Sequence, residues 1–181
     1  MKKESLGPKV FLDPELLEPY KPLGDKSCLD SLQKISDLSE SHSARMYLKN
    51  RLIPESKYQE LYYCENFRDF VDALIPKKLQ SDKHAIPRII IPFFDKNGEL
   101  FGFQGRAIDP REDIRYISII LDESKPKAYN LQHVNFNKKY YVFEGPFDSM
   151  FIENSMAACG SDVLSVLNSI GCNKGNSVIV F

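Results

Sequence analysis

The chain has 181 residues, a formal net charge of −1, 43% hydrophobic residues and 27% charged residues. This composition is typical of a globular protein, argues against a disordered chain, and provides enough residues for one domain or two small lobes. The near-neutral charge disfavours a protein that binds nucleic acid over its whole surface, but it is compatible with a local basic patch.

The cysteines and the apolar runs disfavour two further classes of protein. The four cysteines form no CxxC pair, so they lack the close ligand pairs of a zinc ribbon and are expected to be reduced thiols: Cys28, Cys64, Cys159 and Cys172. No apolar run approaches the ~20 residues of a membrane span. The basic start "MKKESLGPKVF" is not followed by the apolar segment of a secretory signal. We therefore expect a cytoplasmic protein.

The first part of the chain changes from proline-rich to helical. Residues 1–27 contain Pro8, Pro14, Pro19 and Pro22, which predicts an extended arm or linker because proline interrupts regular helix.

Apolar residues at helical spacing predict two helices after the arm, one from positions 29, 32, 35 and 38 and one from positions 44, 47, 48 and 52. Ser41 or Ser43 is the expected N-cap of the second helix, and Pro54 its expected end. "PESKYQELYY" and "FRDFVDALIP" predict two more short helices, the latter closed by Pro76.

The hydrophobic period changes at Pro87. "RIIIPFF", the turn "DKNG" and "ELFGFQGRAI" predict a β-hairpin, because β-branched and aromatic residues flank an Asn-Gly turn. "IRYISIIL" predicts a third strand. Beyond it, strands at 139–144, near "MAACG" and at 177–181 alternate with helices at 146–154 and 162–170. Such alternation is typical of a parallel sheet wrapped by helices.

Two carboxylates flank a Gly-Pro turn that follows the strand predicted at 139–144. Glu144 would lie beyond the carboxyl end of a parallel strand, where ligands bind in open sheets. Asp148 would lie in the first turn of the next helix, where the macrodipole favours negative charge. The spacing leaves two interpretations open. The pair is either a loop acid with a helix-start residue, or a general base and a ligand for a divalent cation such as Mg²⁺.

Three arginines belong to the hairpin and the third strand. Arg88 and Arg106 bracket the hairpin, Arg115 lies on the third strand, and Gly102 and Gly105 remove side chains from the second hairpin strand. Glycine inside a strand often marks close approach by a ligand or by another backbone. The arginines either form a basic face that clamps phosphates through bidentate hydrogen bonds or are unrelated surface charges. As a surface charge, Arg106 would be replaceable by alanine with little loss of stability.

Four stretches resemble, in order, the motifs of bacterial-type DNA primases of the Toprim class. They are "PRIIIPFFDKNGELFGFQGRAI", "RYISI", "KAYNL" and "YVFEGPFDSMFI". Each motif alone is weak, but four in one order at compatible spacing form a specific signal. The resemblance runs from about residue 35 to residue 181 and is strongest to the stand-alone primases of T-even-type tailed phages.

The resemblance implies an α/β fold. Residues 28–136 would form the mixed α+β N-terminal lobe of a primase core, and residues 137–181 the first half of a Toprim parallel sheet with its helices. It also implies a nucleotidyltransferase of phage DNA replication that works in the host cytoplasm. Such an enzyme makes short RNA primers on single-stranded DNA from ribonucleoside triphosphates. It uses Mg²⁺ or Mn²⁺ and acts with a replicative helicase in a primosome.

The resemblance also assigns roles to single residues. Glu144 matches the Toprim glutamate, to which the family assigns metal binding or acid–base work, and Asp148 matches the aspartate of the same EGxxD element. The basic residues expected to bind nucleotide or DNA are Arg88, Arg106, Arg115 and Lys127.

Two positions depart from the bacterial pattern. Arg115 stands where bacterial members usually carry lysine, and Asn130 stands where glycine is usual. Arginine keeps the positive charge, and asparagine tolerates left-handed backbone better than most residues. Neither departure removes the chemistry that the motifs imply.

Two further elements of the family do not occur in the 181 residues. The strand that matches "SVIVF" leads, in the family, into an acidic DxD-type element with the main metal sites, and a zinc ribbon precedes the core. Metal affinity grows with the number of fixed ligands. We therefore expect the isolated chain to bind metal weakly and to be inactive or nearly so, as a truncated product, one part of a split primase or an excerpt of a longer sequence.

Two other functions stay open at this stage. Another Toprim enzyme, such as a nuclease or a topoisomerase, would share the glutamate, but it is disfavoured by the "FQGR" hairpin and by "KAYNL". A non-catalytic module that binds single-stranded DNA or a helicase is the second alternative. Strongly salt-dependent DNA binding without metal-dependent synthesis would favour that module.

Overall fold

The structure is a computed structural model that describes residues 26–160, 162–171 and 174–180. The arm predicted at residues 1–27 therefore lies almost wholly outside the described residues, as do Cys172 and Phe181. Two sheets organise the rest of the chain. An antiparallel sheet contains five strands in chain order: β1 (Gln33–Lys34), β2 (Tyr62–Cys64), β3 (Arg88–Phe94), β4 (Leu100–Ala107) and β5 (Tyr116–Ile120).

The second sheet is parallel. Its central strand β6 (Tyr140–Phe143) lies between β7 (Ser155–Ala157) and β8 (Ser177–Ile179). The α-helices of the described residues are α1 (Ser43–Asn50), α2 (Phe67–Leu74), α3 (Pro146–Ser149) and α4 (Val163–Ile170). Short 3-10 helices span Lys26–Ser31, Ile35–Asp37, Glu55–Glu60, Asp82–His84, Leu131–His133 and Lys174–Asn176. The predicted α/β class and the parallel pairing of the last third are thus confirmed.

Strand β3 separates two hydrophobic cores. Its alternate residues Ile89, Ile91 and Phe93 belong to the first core, which also includes buried residues of α1, β6, β7 and α4. Ile90 points to the opposite face and belongs to the second core, which includes Phe67 of α2 and residues of β4 and β5. This two-residue alternation explains why the strand reads as a continuous apolar run, since both of its faces are covered.

The glycines of β4 are explained by packing. A Cβ at Gly105 would overlap the ring of Phe67, and a Cβ at Gly102 would lie 2.7 Å from the carbonyl oxygen of Ile119. Phe67 is fully buried, so its ring cannot move aside without disturbing the second core. The sequence left open whether a ligand or another part of the protein lies close to these glycines. In the structure, protein atoms lie there.

The first predicted helix is wrong. Positions 29 to 38 instead hold two short 3-10 helices separated by β1, and the N–H of Ile35 donates to the carbonyl of Leu61 at 2.9 Å. Leu29 belongs to the second core, whereas Ile35 and Leu38 belong to the first. The apolar residues therefore serve opposite sides of the sheet, and their helical spacing does not reflect one helix face.

The second predicted helix is confirmed as α1, but its cap differs from the prediction. His42 is the N-cap, and its Nδ1 accepts a hydrogen bond from the N–H of Ala44 at 3.2 Å. "PESKYQELYY" forms a 3-10 helix and then β2, because Tyr62 and Cys64 pair with β3. Later in the chain, Asn130 adopts left-handed backbone with φ of 70°. That conformation fits the expectation that asparagine can replace glycine there.

No helix in the described parts of the chain is long and apolar enough to cross a membrane. The division into a lobe of residues 28–136 and a partial domain of residues 137–181 stays a prediction. The two sheets lie on either side of that boundary in sequence, and residues of both contribute to the first core.

Asp95 fixes the turn of the predicted hairpin, which the structure confirms. Its Oδ1 accepts hydrogen bonds from the N–H groups of Asn97 and Glu99 at 2.9 and 3.0 Å, and its Oδ2 accepts one from Lys125 Nζ at 2.7 Å. Burial acts to raise the pKa of Asp95, but the hydrogen bonds from Lys125 and the two backbone groups outweigh it, so the pKa is lowered. The carboxylate therefore stabilises the folded state.

We expect Asp95→Ala to lower the free energy of unfolding by about 1.5–3 kcal/mol, because three hydrogen bonds to a charged, mostly buried group are lost. The folded-state pKa lies below the unfolded value. The contribution is therefore fully present above the unfolded-state pKa and is lost as pH falls through the folded-state pKa. Urea unfolding of both proteins at neutral and acidic pH measures the difference. Lys127→Ala is the matched control, since its ion pair with Glu123 is exposed. A difference that is the same at every pH would contradict this role.

Candidate active site

The Glu144 turn begins where the central parallel strand ends. Tyr140 and Val142 of β6 are fully buried, whereas Glu144, one residue beyond the strand, is exposed. Gly145 is the N-cap of α3 and Pro146 occupies its first turn, as expected for a chain that reverses from strand into helix. The carboxylate is thus presented to solvent at the carboxyl edge of a parallel sheet, where ligands bind in open sheets.

Asp148 folds back over the same turn. A Cβ at Gly145 would lie 2.9 Å from Asp148 Oδ2, so glycine leaves the space that this carboxylate occupies. Asp148 is exposed and lies in the first turn of α3. The turn therefore presents two solvent-accessible carboxylates four positions apart, as the sequence predicts.

Helix α3 is shorter than predicted. It ends at Ser149 rather than near residue 154, because Ser155 Oγ lies within hydrogen-bond distance of the carbonyls of Ser149 and Ile152, at 2.6 and 2.7 Å. Asn154 has a left-handed φ of 50°, which turns the chain into β7. Side-chain hydrogen bonds to backbone carbonyls thus replace further helical turns.

Arg106 lies between two tyrosine rings on the first-core face of the antiparallel sheet. Its Nε donates to Tyr47 Oη at 2.7 Å, and its Cζ lies 5.6 Å from the Tyr47 ring centroid and 4.2 Å from that of Tyr116. Tyr116 is the cross-strand partner of Arg106 in the β4–β5 register. Arg106 is only 6% exposed, so it is not the freely exposed charge of one interpretation.

Arg51, which follows α1, adds a second guanidinium to this place. Its Nη1 lies 3.4 Å from Tyr47 Oη, and its Cζ lies 5.8 and 5.6 Å from the ring centroids of Tyr47 and Phe147. Phe147 belongs to α3 and is adjacent in sequence to Asp148. The arginines and tyrosines therefore lie next to the acidic turn. We call Tyr47, Arg51, Arg106 and Tyr116 the arginine–tyrosine cluster.

The pKa of Tyr116 reflects the charges that surround this cluster. Burial raises the pKa of its hydroxyl, Arg106 and Arg51 act to lower it, and Asp148 acts to raise it. The charges of both arginines and of the acidic turn therefore act on one ring. Tyr116 is nonetheless 41% exposed, although Arg106 lies over one face of its ring.

Arg88 does not fit the phosphate-binding role predicted for it. The side chain is 1% exposed, its Nη1 donates to the carbonyl of Gly105 at 3.0 Å, and its Nη2 donates to that of Ile114 at 2.9 Å. The Cζ also lies 5.2 Å from the Phe67 ring centroid. Burial lowers the pKa of this guanidinium. Arg88 satisfies backbone carbonyls inside the fold, so a phosphate cannot reach it.

The other two predicted basic residues do not join Arg106 in an observed contact. Arg115 is exposed just before β5, where its carbonyl accepts hydrogen bonds from the Ala107 N–H and from Arg88 Nη1. Lys127 forms an exposed ion pair with Glu123 at 3.6 Å. It borders a cavity of about 450 Å³ that is lined by the loop after β5, the segment after β7 and α4. Their predicted roles in binding stay predictions.

The acidic turn offers some, but not all, of the ligands that a divalent cation needs. Mg²⁺ in proteins is commonly held by one or two carboxylates and completed by water and substrate phosphates, which two exposed carboxylates on one turn can provide. Among the described residues, no three or more histidine, cysteine or acidic side chains come together as a metal cage. Glu144 and Asp148 are thus suited to an ion that is shared with a phosphate ligand.

Sequence reasoning missed Tyr47 and Arg51. The periodicity places Tyr47 in the apolar stripe of a helix, and Arg51 belongs to no motif. The available signal was amphipathic: Tyr47 is only half-buried in the structure, and an arginine four positions later lies on the same side of the chain. Their relation to Arg106, 59 residues away in sequence, appears only in three dimensions.

Comparison with known proteins agrees with the motif resemblance. No family model matches the chain. The DNA primase of Enterobacteria phage T4 is 33% identical over 135 residues, which cover 75% of this chain and 39% of the phage protein. The chain therefore spans about two fifths of the length of that relative. The resemblance to phage-type primases is confirmed.

Solved structures show the same fold. The Escherichia coli primase catalytic core has a TM-score of 0.61 at 17% identity, and the match covers 87% of this chain and 60% of the E. coli chain. The Aquifex aeolicus primase, with zinc-binding and RNA polymerase domains, has a TM-score of 0.58 at 21% identity and covers 84% and 46%. A DnaG primase catalytic domain bound to single-stranded DNA has a TM-score of 0.57 at 17% identity and covers 85% and 58%. At these identities the likeness concerns the fold alone.

Proposed function

We propose, since this chain is homologous to a phage DNA primase over three quarters of its length, that it provides part of a primase site for RNA synthesis on single-stranded DNA. The substrates would be ribonucleoside triphosphates and a DNA template, and the partner a replicative helicase in the cytoplasm of a phage-infected cell. The proposed division into a lobe of residues 28–136 and a partial Toprim domain of residues 137–181 places the site where the two meet.

One structural observation carries this proposal. The arginine–tyrosine cluster and the acidic turn lie side by side, joined through Arg51, whose guanidinium lies 5.6 Å from the Phe147 ring centroid. Phosphoryl transfer needs cations that hold phosphates and carboxylates that hold a metal or accept a proton. The chain brings both kinds of group to one surface, although they come from α1, β4, β5 and the β6–α3 turn.

Each group has a distinct proposed task. Arg106 would donate its remaining N–H groups to a phosphate of the template or of the nucleotide, and Tyr116 would stack on a base. Glu144 would accept the proton of the attacking hydroxyl or hold a divalent cation together with Asp148. When bound, such a cation would neutralise negative charge on the triphosphate. Arg115 and Lys127 would extend the basic surface.

Two assays test the proposal. Binding of a labelled single-stranded DNA oligonucleotide should weaken steeply with salt, and labelled ribonucleotide should be incorporated slowly in the presence of Mg²⁺ and the template. Because the isolated chain is expected to be inactive or nearly so, binding without any incorporation would fit a partial site and favour a binding module over an active polymerase. Absence of both would overturn the proposed function altogether.

Arg106→Lys is expected to weaken binding of the oligonucleotide by about 5- to 30-fold, because lysine keeps the charge but loses the planar fork. Thermal unfolding checks the fold of the variant. Arg106→Ala is less clean than the sequence suggested, since it also removes the Tyr47 hydrogen bond and two ring contacts. Arg111→Lys is the matched control, because Arg111 is exposed and paired with Asp109. Equal losses in both lysine variants would contradict a specific role for Arg106.

A further inference from the structure

Asn130, Ser149 and Ser155 are buried polar residues that belong neither to the arginine–tyrosine cluster nor to the pair of carboxylates. Their exposed fractions are 9%, 2% and 1%. Asn130 directly precedes the 3-10 helix Leu131–His133, Ser149 ends α3, and Ser155 begins β7. A buried polar group costs free energy unless it is hydrogen-bonded, so the partners of these side chains indicate what they do.

The two serines connect β7 to the acidic turn. Ser155 Oγ lies 2.6 Å from the carbonyl oxygen of Ser149, and Ser149 Oγ donates to the carbonyl of Pro146 at 2.7 Å. Pro146 lies between the two carboxylates of the turn in sequence. A chain of buried hydrogen bonds therefore runs from the first residue of β7 to the middle of the acidic turn.

Asn130 extends this chain of hydrogen bonds to the loop after β5. Its Nδ2 donates to the carbonyl of Ser155 at 2.8 Å, and its Oδ1 lies 2.8 Å from His133 Nδ1. An amide oxygen only accepts, so the imidazole nitrogen carries the hydrogen of that bond. The backbone of Tyr129 pairs with Ala157 on the edge of β7 that lies opposite β6. Glycine at position 130 would allow the same backbone but would lack the hydrogen bond to β7.

Helix α3 cannot position the acidic turn by itself. It has four residues, about one helical turn, and isolated helices of this length are not stable in water. Phe147 and Met150 anchor it in the first core, but apolar packing is not directional. Hydrogen bonds are directional, so the buried chain of hydrogen bonds can fix how the turn is rotated and how its carboxylates are spaced.

We propose that Asn130, Ser149 and Ser155 form a positioning relay for the acidic turn. The relay holds Glu144 and Asp148 in the arrangement that a divalent cation requires. None of its three side chains would touch the cation, since residues of this kind act on metal affinity through the ligands that they orient. The proposal deepens the proposed function and rests on it.

Two variants interrupt the relay at different points. Asn130→Gly keeps the left-handed backbone and removes the amide, and Ser155→Ala removes the hydroxyl. Each should weaken Mn²⁺ binding by about 10-fold, the lower end of the range for residues that orient metal ligands. Paramagnetic broadening of backbone amide signals near Glu144, in the isotope-labelled 181-residue chain, measures this affinity. The same titration of Glu144→Gln gives the background.

Asn154→Gly is the matched control. Asn154 is also a left-handed asparagine, with φ of 50°, and its side chain donates to the carbonyls of Asn135 and Lys139 at 3.1 and 2.8 Å. These bonds lead to the segment before β6 and not to the acidic turn, so Mn²⁺ binding should change little. The melting temperatures of the three variants separate a loss of stability from a loss of cation affinity.

A double variant tests whether the two positions act along one path. If the relay runs through Ser155, adding Asn130→Gly to Ser155→Ala should weaken Mn²⁺ binding no further. Effects that multiply would show that the residues act separately and would overturn the relay.

The remaining outcomes distinguish the relay from the proposed function. Unchanged Mn²⁺ affinity in both single variants, or equal weakening by Asn154→Gly, overturns the relay and leaves the proposed function in place. A wild-type chain whose signals broaden no more than those of Glu144→Gln overturns both the relay and the cation-binding part of the proposed function.

Discussion

Arg88→Ala is expected to remove about 3–5 kcal/mol of folding free energy, the range for breaking a buried hydrogen-bonded charge network. The substitution leaves the carbonyls of Gly105 and Ile114 without their donor and opens a cavity beside Phe67. A loss of this size is a large share of the stability of an ordinary domain. Urea unfolding followed by far-UV circular dichroism measures it.

Arg115→Ala is the matched control for Arg88. It removes an arginine close to the same backbone turn, but the side chain is exposed, so stability should change by less than about 0.5 kcal/mol. If Arg88→Ala unfolds at the wild-type urea concentration and instead loses affinity for single-stranded DNA, Arg88 would be a phosphate ligand after all.

Glu144→Gln is expected to reduce the slow ribonucleotide incorporation of this chain below detection, because an acid–base group usually contributes about 10²- to 10⁴-fold. Glutamine has nearly the same shape but can neither accept a proton at neutral pH nor offer two anionic oxygens to a cation. Because Glu144 is exposed, the melting temperature should stay unchanged. Steady-state incorporation of labelled ribonucleotide on single-stranded DNA measures the effect.

Glu153→Gln controls for loss of negative charge near the same sheet, since Glu153 is an exposed acid beyond α3. It should leave incorporation unchanged, and oligonucleotide binding by Glu144→Gln should also match the wild type. Activity of Glu144→Gln within threefold of the wild type would rule out a catalytic or metal-binding role for this residue.

The hairpin and the acidic turn were predictable because local chemistry determines them. An Asn-Gly turn between β-branched runs has few alternatives to a hairpin, and Gly145-Pro146 after a buried strand leads directly into a helix. The position of Glu144 at the carboxyl edge followed from the parallel sheet. These features depend on residues that are adjacent in sequence, so they can be predicted without the folded structure.

The failures concern residues whose role depends on distant parts of the chain. Arg88 had the chemistry of a phosphate ligand, and only the folded structure shows that β4 and the segment before β5 supply the carbonyls that occupy it. Leu29 and Ile35 had helical spacing, but the sheet divides them between two cores. Side-chain type alone does not say which groups of the folded chain meet a residue.

Tyr47 and Arg51 show the same limit for the site. These two residues belong to the candidate site only because they lie next to Arg106. The hydrogen bond between Tyr47 and Arg106 joins residues 59 positions apart in sequence. A periodicity argument places Tyr47 in a core because most of the residue is indeed covered. It does not reveal the hydroxyl that faces a cation from another strand.

The two-sided burial of β3 and β4 has a consequence for motion. Both hydrophobic cores pack against the β3–β4 hairpin, so its detachment would expose both cores at once. We therefore expect these two strands to open only when the whole molecule unfolds. The arginine–tyrosine cluster includes residues of both kinds of strand. Arg106 belongs to β4, which should open only with the whole molecule, whereas Tyr116 belongs to the edge strand β5, which can open locally. Local opening of β5 would therefore move Tyr116 away from Arg106 while Arg106 stays fixed on β4.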